Sequence, residues 1–234
     1  MRFWPSDPAL YLIECADLES AAHPYVRDNV TPLRETVRWA KEYLCRPHPQ
    51  LGRKGPVCPF VQTAMDQRLF FLTVYREQPL TSENMCRVVA KYRDWFLELE
   101  PRHGTDVQFQ TILILFPDAA TDEGLLMIEA TQERLKANYV DCGLMIGEFH
   151  YGPPRKPGLW NHEFRPLFSP VPLLAIRRMV PTDFPFLNSD ARWVASYLRL
   201  FGDQVPPHLK EQVKEVVDRL GVVWGGRNRG ECRQ

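Results

Sequence analysis

V-Q-F-Q-T-I-L-I-L-F, at residues 107–116, is the segment from which the architecture of this chain can be inferred. It begins with the alternation of a half-buried strand and ends as a continuous apolar run. A short apolar run of this kind is typical of a strand that is covered on both faces of a sheet. We therefore predict a central strand here, followed by a turn at Pro117-Asp118.

The segments on either side of this strand alternate between strand-like and helix-like patterns. Aromatic and β-branched runs predict strands, and apolar residues at helical spacing after a threonine cap predict helices. The order is strand, helix, strand, helix, strand, and one more strand after a long loop. This order predicts one α+β (or α/β) domain with a mixed sheet of about four strands flanked by helices. The predicted strands are 69–75, 107–116, 143–149 and 172–180, and the helices between them are 81–99 and 121–138.

The two ends of the chain are predicted to be helical and to pack on the sheet domain. Residues 8–20 mix apolar and acidic side chains, which we interpret as a short helix, and Thr31-Pro32 opens a clearer one. Residues 1–46 thus form a predicted N-terminal helical segment, and residues 189–220 hold two C-terminal helices. The whole chain, 1–234, is predicted to be a single domain, with a frayed tail at residues 225–234.

Composition and charge exclude several broad classes of protein. The chain has 234 residues, with 44% hydrophobic residues, 25% charged residues and a formal net charge of zero. A neutral chain has no global field that would attract nucleic acid or an anionic membrane. No apolar run is long enough to span a bilayer, and the first residues, M-R-F-W-P-S-D-P, lack the features of a signal peptide. These observations predict a cytoplasmic protein.

Cysteine spacing and the absence of familiar motifs narrow the chemistry. The six cysteines are scattered without a C-x-x-C pair, so free thiols are expected rather than disulfides or a structural zinc site. The chain contains no phosphate-binding G-x-x-x-x-G-K-[ST], no G-x-G-x-x-G, no G-x-S-x-G and no H-E-x-x-H motif. Nucleotide-driven chemistry and serine or zinc hydrolysis are therefore disfavoured.

The first candidate site is the loop R-P-H-P-Q-L-G-R-K-G-P-V-C-P-F at residues 46–60. Four prolines fix its backbone and two glycines permit tight turns, so it is neither a helix nor a central strand. Cys58 lies between prolines near its end, where a fixed backbone suits a ligand or a nucleophile that must point in one direction. His48, Arg53 and Lys54 lie in the same loop.

Two further candidate segments come from the second half of the chain. In E-F-H-Y-G-P-P, residues 148–154, His150 follows an apolar strand, and strand ends commonly carry sites in α/β sheets. Glu148 is interpreted as an exposed strand-end carboxylate. In A-I-R-R-M-V, residues 175–180, consecutive arginines must point to opposite faces, so Arg177 or Arg178 faces the interior and needs an anionic partner.

Cysteine, histidine and a buried arginine together leave three interpretations open. The first is a haem pocket, in which a thiolate or imidazole binds iron and arginines pair with propionates. The second is a cysteine nucleophile at Cys58 with His150 as its base, in a transferase or hydrolase. In the third, these side chains are structural, in a non-catalytic protein that binds a small ligand or a partner. The irregular residues 150–170 are long enough to suggest a function in each case.

At this point the chain resembles a known family. The elements H-P-x-L-G-R-x-G-x-V-C-P-F (residues 48–60), G-E-F-H (147–150) and P-L-L-A-I-R (172–177) are similar to elements of the YqcI/YcgG group and its relatives in amino-acid natural-product clusters. The resemblance covers roughly residues 45–190. It implies haem-dependent N-oxygenation, that is, hydroxylation of the guanidine of an arginine-like amino acid or oxidation of a lysine side-chain amine.

The resemblance, added to the residues, gives a specific prediction. We expect a haem-dependent N-oxygenase with dioxygen, an electron donor and an amino-acid-like substrate as partners; whether it forms a homodimer stays open. Cys58 is the predicted axial ligand of the iron, and His150 is the alternative ligand or a distal catalytic group. The predicted cofactor-binding residues are Cys58, Arg53, Arg177, Arg178 and His48, with Trp160 and Phe164 closing the pocket through the long loop.

Overall fold

A computed structural model describes residues 1–99 and 106–224 of the protein, and these form one α+β domain. A mixed sheet with the strand order β1-β2-β3-β4-β6-β5 carries helices on both faces. The predicted fold class is confirmed, but the described residues form six strands rather than about four. The strands are β1 Arg2–Trp4, β2 Asp7–Glu14, β3 Phe70–Val74, β4 Thr111–Leu115, β5 Leu144–Phe149 and β6 Leu173–Arg178.

The helices cover the sheet in two layers. α3 and α4 lie on one face, α5 and α6 lie on the other, and α7 and α8 pack beside α6 and β5. A π-helical turn at Ala40–Leu44 extends α3, and five short 3-10 helices are also present in the described residues. The α-helices are α1 Asp17–Ser20, α2 Pro24–Arg27, α3 Val30–Trp39, α4 Val61–Asp66, α5 Ser82–Glu98, α6 Asp122–Asp141, α7 Ala191–Phe201 and α8 Lys210–Leu220.

Strand β4 is the central strand that the sequence predicts. It pairs parallel to β3 and antiparallel to β6, and Ile112 to Leu115 are buried on both faces. The strand is shorter than predicted, because residues 106–109 form a 3-10 helix before it. Gln110 lies between the two, and its buried side chain donates a hydrogen bond to the Phe96 carbonyl at 3.3 Å.

The N-terminal segment is not purely helical, which corrects the prediction for residues 8–20. Strand β2 occupies 7–14 and pairs with both β1 and β3, and only the four residues of α1 follow it. Leu10 and Leu12 pack into one core, whereas Tyr11 and Ile13 pack into the other. A strand buried on both faces shows a continuous apolar run, which sequence periodicity cannot tell from a short helix.

The predicted starts of the two helices in the middle of the chain, at residues 81 and 121, are confirmed to within one residue. Thr81 accepts a hydrogen bond from the backbone N–H of Asn84 at 3.2 Å, and Thr121 accepts one from Gly124 at 3.1 Å. Each threonine therefore satisfies one of the backbone donors that a helix start leaves open. These caps fix where α5 and α6 begin on their shared face of the sheet. In the part of the chain that the structure describes, no helix has the length and apolar character to cross a membrane.

Tyr139→Phe is expected to lower the free energy of unfolding by about 1 kcal/mol. Tyr139 is fully buried in α6, and its hydroxyl donates a 2.7 Å hydrogen bond to the Val89 carbonyl of α5. The substitution removes that donor and leaves a buried carbonyl without it. Urea denaturation measures the difference, with Tyr25→Phe as the control because Tyr25 is 41% exposed. Equal stability of Tyr139→Phe and wild type would contradict this role.

Candidate functional site

A cleft of about 220 Å³ lies at the β5 end of the sheet, and we call it the β5 cleft. Its floor is made by the face of β4, β6 and β5 that looks toward α4, and it continues round the edge strand β5 to α6. Ala175, with only a methyl group, and Gly147, with no side chain, are cross-strand partners on this floor. Larger residues at these two positions would fill the space above the sheet.

Cys58 lines the β5 cleft from the opposite wall. The loop that carries it is closed at its base, because Val57 N–H donates to the Arg46 carbonyl at 2.9 Å and Cys58 N–H donates to the Leu44 carbonyl at 2.8 Å. The thiol is half-buried, and α4 begins three residues later at Val61. The prolines and these two hydrogen bonds together fix the position of Cys58 beside the cleft.

Arg53 supports this loop and is not among the described residues that line the cleft. Its guanidinium donates to the Lys54 carbonyl at 3.0 Å and to the Val57 carbonyl at 3.2 Å. The same group lies 5.5 Å from the centre of the Trp160 ring. Next to it, Gly52 has a φ of +77°, and a Cβ there would come within 2.8 Å of the Trp160 carbonyl oxygen. This close approach requires glycine.

His48 also joins the Cys58 loop to residues 150–170. Its Nδ1 accepts a hydrogen bond from Gln50 N–H at 3.2 Å, and its ring stacks on Phe164 at a centroid distance of 4.6 Å. Trp160 and Phe164 therefore pack against the loop that carries Cys58. Within residues 150–170, the side chains that line the β5 cleft are those of Lys156 and Leu167.

The two arginines of β6 point to opposite faces, as the sequence predicts. Arg177 lines the cleft and donates two 2.7 Å hydrogen bonds to the carboxylate of Asp183. Burial alone would lower the pKa of Arg177, but the charge and hydrogen bonds of Asp183, with a smaller effect of Cys58, raise it. Arg178 lies against the Phe96 ring on the far face, 5.8 Å from its centre, and burial lowers its pKa.

His150 is buried but lies away from Cys58. Its Nε2 is 3.1 Å from Oε1 of Glu129 on α6, and its backbone pairs with residues 167–169. Nδ1 finds no hydrogen-bond partner in the described part of the chain. The β5 cleft thus brings together Cys58 and Arg177, whereas His150, Arg178, Arg53 and His48 are absent from its described lining.

The end of the cleft nearest α6 is polar, and the sequence did not indicate this. Glu148 is only 1% exposed, so its interpretation as an exposed carboxylate is wrong. It forms an ion pair with Nζ of Lys156, which also donates to Oε1 of Gln132 at 2.9 Å. Gln132 is held in place because its Nε2 donates to the Ile146 carbonyl at 2.9 Å.

Lys136 is a second lysine at this end of the cleft. Burial, with the nearby charge of Lys156, lowers the pKa of Lys136 to about 8. Its Nζ donates to the Phe186 carbonyl at 2.9 Å and lies 4.0 Å from the centre of the Trp193 ring. The only sequence signal was the spacing of Gln132 and Lys136, which places them on one face of α6.

The β5 cleft offers a cysteine thiol, that of Cys58, as a soft ligand for a metal. Within residues 1–99 and 106–224, no group of three or more His, Cys, Asp or Glu side chains could hold a metal ion. A haem iron differs from such ions, because the porphyrin supplies four ligands and the protein supplies an axial one. The five described cysteines are all unbridged, and Cys58 is the one that lines the β5 cleft.

Comparisons with known proteins place the chain in one family. No curated protein and no solved structure matches it. The family model described as a domain of unknown function, DUF6875, matches residues 33–212. This match starts in α3, includes the whole β5 cleft and ends in α8. Since it covers more than half of the sequence, the chain belongs to the DUF6875 family.

Proposed function

We propose that the protein is a haem-dependent oxygenase that oxidises a side-chain nitrogen, an amine or a guanidine, of an amino acid or similar small amine. The observation that carries the proposal is the thiol of Cys58, fixed by its loop in the wall of a cleft with an apolar floor and a half-buried arginine. The resemblance of residues 48–60, 147–150 and 172–177 to haem-dependent N-oxygenases supports the same assignment.

The residues of the cleft fit the chemistry of haem. A cysteine thiolate is one of the axial ligands that haem iron takes, and apolar walls suit the macrocycle. Two cations at the cleft, Arg177 and Lys136, suit the two propionates. The interior of about 220 Å³ is small for a ligand pocket, but the cleft is open to solvent. A bound haem would need that open part as well.

Each residue of the cleft then has a proposed role. Cys58 is the axial ligand, and Arg53 and His48 position the loop that presents it. Arg177, held by Asp183, contributes positive charge beside the thiolate. When bound, a thiolate-ligated haem supplies the activation and cleavage of dioxygen. His150 is not among the described residues that line the cleft, so we assign it to holding the end of β5 through Glu129 rather than to a catalytic step.

The proposed reaction balances as a monooxygenation. An amine R–NH₂, dioxygen, two electrons and two protons give the hydroxylamine R–NHOH and one water. The electrons come from an external reduced flavin protein or iron–sulfur protein. We propose that the protein works in the cytoplasm on a small molecule, without nucleic acid or membrane partners, either alone or as a homodimer.

Titration of the haem-free protein with haemin tests the proposal. We expect a Soret band that saturates at one haem per chain. A colourless protein that takes up no haem under reducing and oxidising conditions would overturn it. The titration needs no knowledge of the substrate, so its result does not depend on the choice of amine.

A cysteine-dependent transferase or hydrolase is the second candidate. It needs a base within hydrogen-bond reach of Cys58, and the base named from the sequence, His150, contacts Glu129 instead. This candidate predicts a colourless protein whose Cys58 alkylates rapidly at neutral pH. A non-catalytic small-ligand-binding protein predicts neither colour nor a reactive thiol. The geometry therefore favours the oxygenase over the cysteine-dependent enzyme.

A further inference from the structure

We propose that Glu148 and Gln132 form a binding site for a primary ammonium group at the α6 end of the β5 cleft, and that Lys156 fills this site when no ligand is present. The role of this site in binding the second basic nitrogen of a substrate rests on the proposed function. As a cation site, it is independent of haem.

The two acceptors are buried and come from different elements. Glu148 of β5 is 1% exposed and Gln132 of α6 is 3% exposed. The hydrogen bond from Gln132 Nε2 to the Ile146 carbonyl directs Oε1 toward Lys156. A carboxylate oxygen and an amide oxygen thus converge on one point, which suits an ammonium group with its three N–H donors.

The present occupant comes from the protein's own irregular segment. Lys156 belongs to residues 150–170, and its side chain is 53% exposed, although its Nζ contacts two buried oxygens. Loops of this kind are held less firmly than strands and helices. The side chain of lysine is a four-carbon chain that ends in an ammonium group, so Lys156 shows the site binding the equivalent of n-butylammonium.

A cation is required at this point, and the polar contacts described for the Lys156 side chain are those with Glu148 and Gln132 themselves. A buried carboxylate without a partner is costly, which explains why the site is filled. The other lysine of this end, Lys136, is held by the Phe186 carbonyl and the Trp193 ring. A ligand ammonium can therefore replace Lys156 while Lys136 stays in place. Because Glu148 and Cys58 line one cleft, a ligand with two basic nitrogens can place one here and direct the other toward Cys58.

Lys156→Ala should convert the site into an open slot for n-butylammonium. We expect titration of the haem-free full chain with n-butylammonium chloride, followed by NMR of its amide signals, to give a Kd of about 1 mM, as suits a ligand of five heavy atoms. Wild type should bind at least about 10-fold more weakly, because its tethered lysine competes at a high effective concentration.

Three controls make the experiment decisive. Uncharged n-butanol should not bind Lys156→Ala, and adding Glu148→Gln should abolish the binding of n-butylammonium. Lys91→Ala is the matched lysine control, because Lys91 forms an exposed ion pair with Asp7 at the start of β2. Absence of saturation with Lys156→Ala, equal binding of n-butanol, or binding by Lys91→Ala would each overturn the inference. Haem uptake measured on the same Lys156→Ala sample separates this outcome from the fate of the proposed function.

Discussion

Replacing Cys58 by alanine is expected to lower the affinity for haem by at least about 100-fold, since even the loss of groups around a metal ligand costs 10- to 100-fold. The substitution removes the soft ligand that the loop presents at the β5 cleft. Any haem that remains should lose the spectrum of a thiolate complex. Haemin titration followed by absorbance measures both effects, and circular dichroism of the haem-free variant checks that it folds.

Cys45→Ala is the matched control for this experiment. Cys45 lies next to Cys58 in the same core, but it is not among the described residues that line the cleft. Burial raises the pKa of the Cys45 thiol, and the nearby Cys58 raises it further, so Cys45 stays a thiol at neutral pH. We expect Cys45→Ala to bind haem like wild type. If both variants, or neither, lose haem, Cys58 is not the ligand.

Asp183→Asn is expected to lower the free energy of unfolding by about 3 kcal/mol, because it leaves the half-buried guanidinium of Arg177 without its buried counter-charge. Asp183 is 3% exposed and accepts two hydrogen bonds from the Arg177 guanidinium. It also accepts the backbone N–H of Val180 at 2.8 Å. Urea denaturation of the haem-free protein gives the difference in stability.

Asp190→Asn is the control for Asp183→Asn. Asp190 caps α7 by accepting the N–H of Arg192, and asparagine is an equally good cap. The substitution therefore removes only an exposed ion pair with the Arg192 side chain, so we expect little or no change in stability. A change for Asp183→Asn as small as that of Asp190→Asn would contradict the role of Asp183 as the fixed partner of Arg177.

The central strand and the two helices beside it could be predicted from the sequence, because their apolar patterns and helix caps agree with their burial in the fold. The apolar run of β4 can be satisfied only by cover on both faces, and the threonine caps of α5 and α6 mark where these helices begin. The N-terminal hairpin could not be predicted, because β2 is buried between two cores and its apolar residues show no alternation. Only its pairing with β1 and β3 decides that it is a strand.

Parts of the candidate site could be predicted where neighbours in the sequence fix the conformation or direction of a side chain. Prolines around Cys58 indicated a fixed side chain, and adjacent arginines on one strand had to face opposite ways. The partners of these residues depend on tertiary contacts, so Asp183 could not be identified as the anion for Arg177. The same holds for Glu148, which is buried only because α6 and a distant loop bring Gln132 and Lys156 to it.

The absorption spectrum of the ferrous carbon monoxide complex tests the central claim most directly, because the ligand opposite carbon monoxide sets the position of the Soret band. The measurement uses the full chain loaded with haem and reduced with dithionite. Cys58 as axial ligand predicts the strongly red-shifted band of a thiolate complex. A band at the position of a histidine complex, or the absence of any haem to reduce, would contradict it.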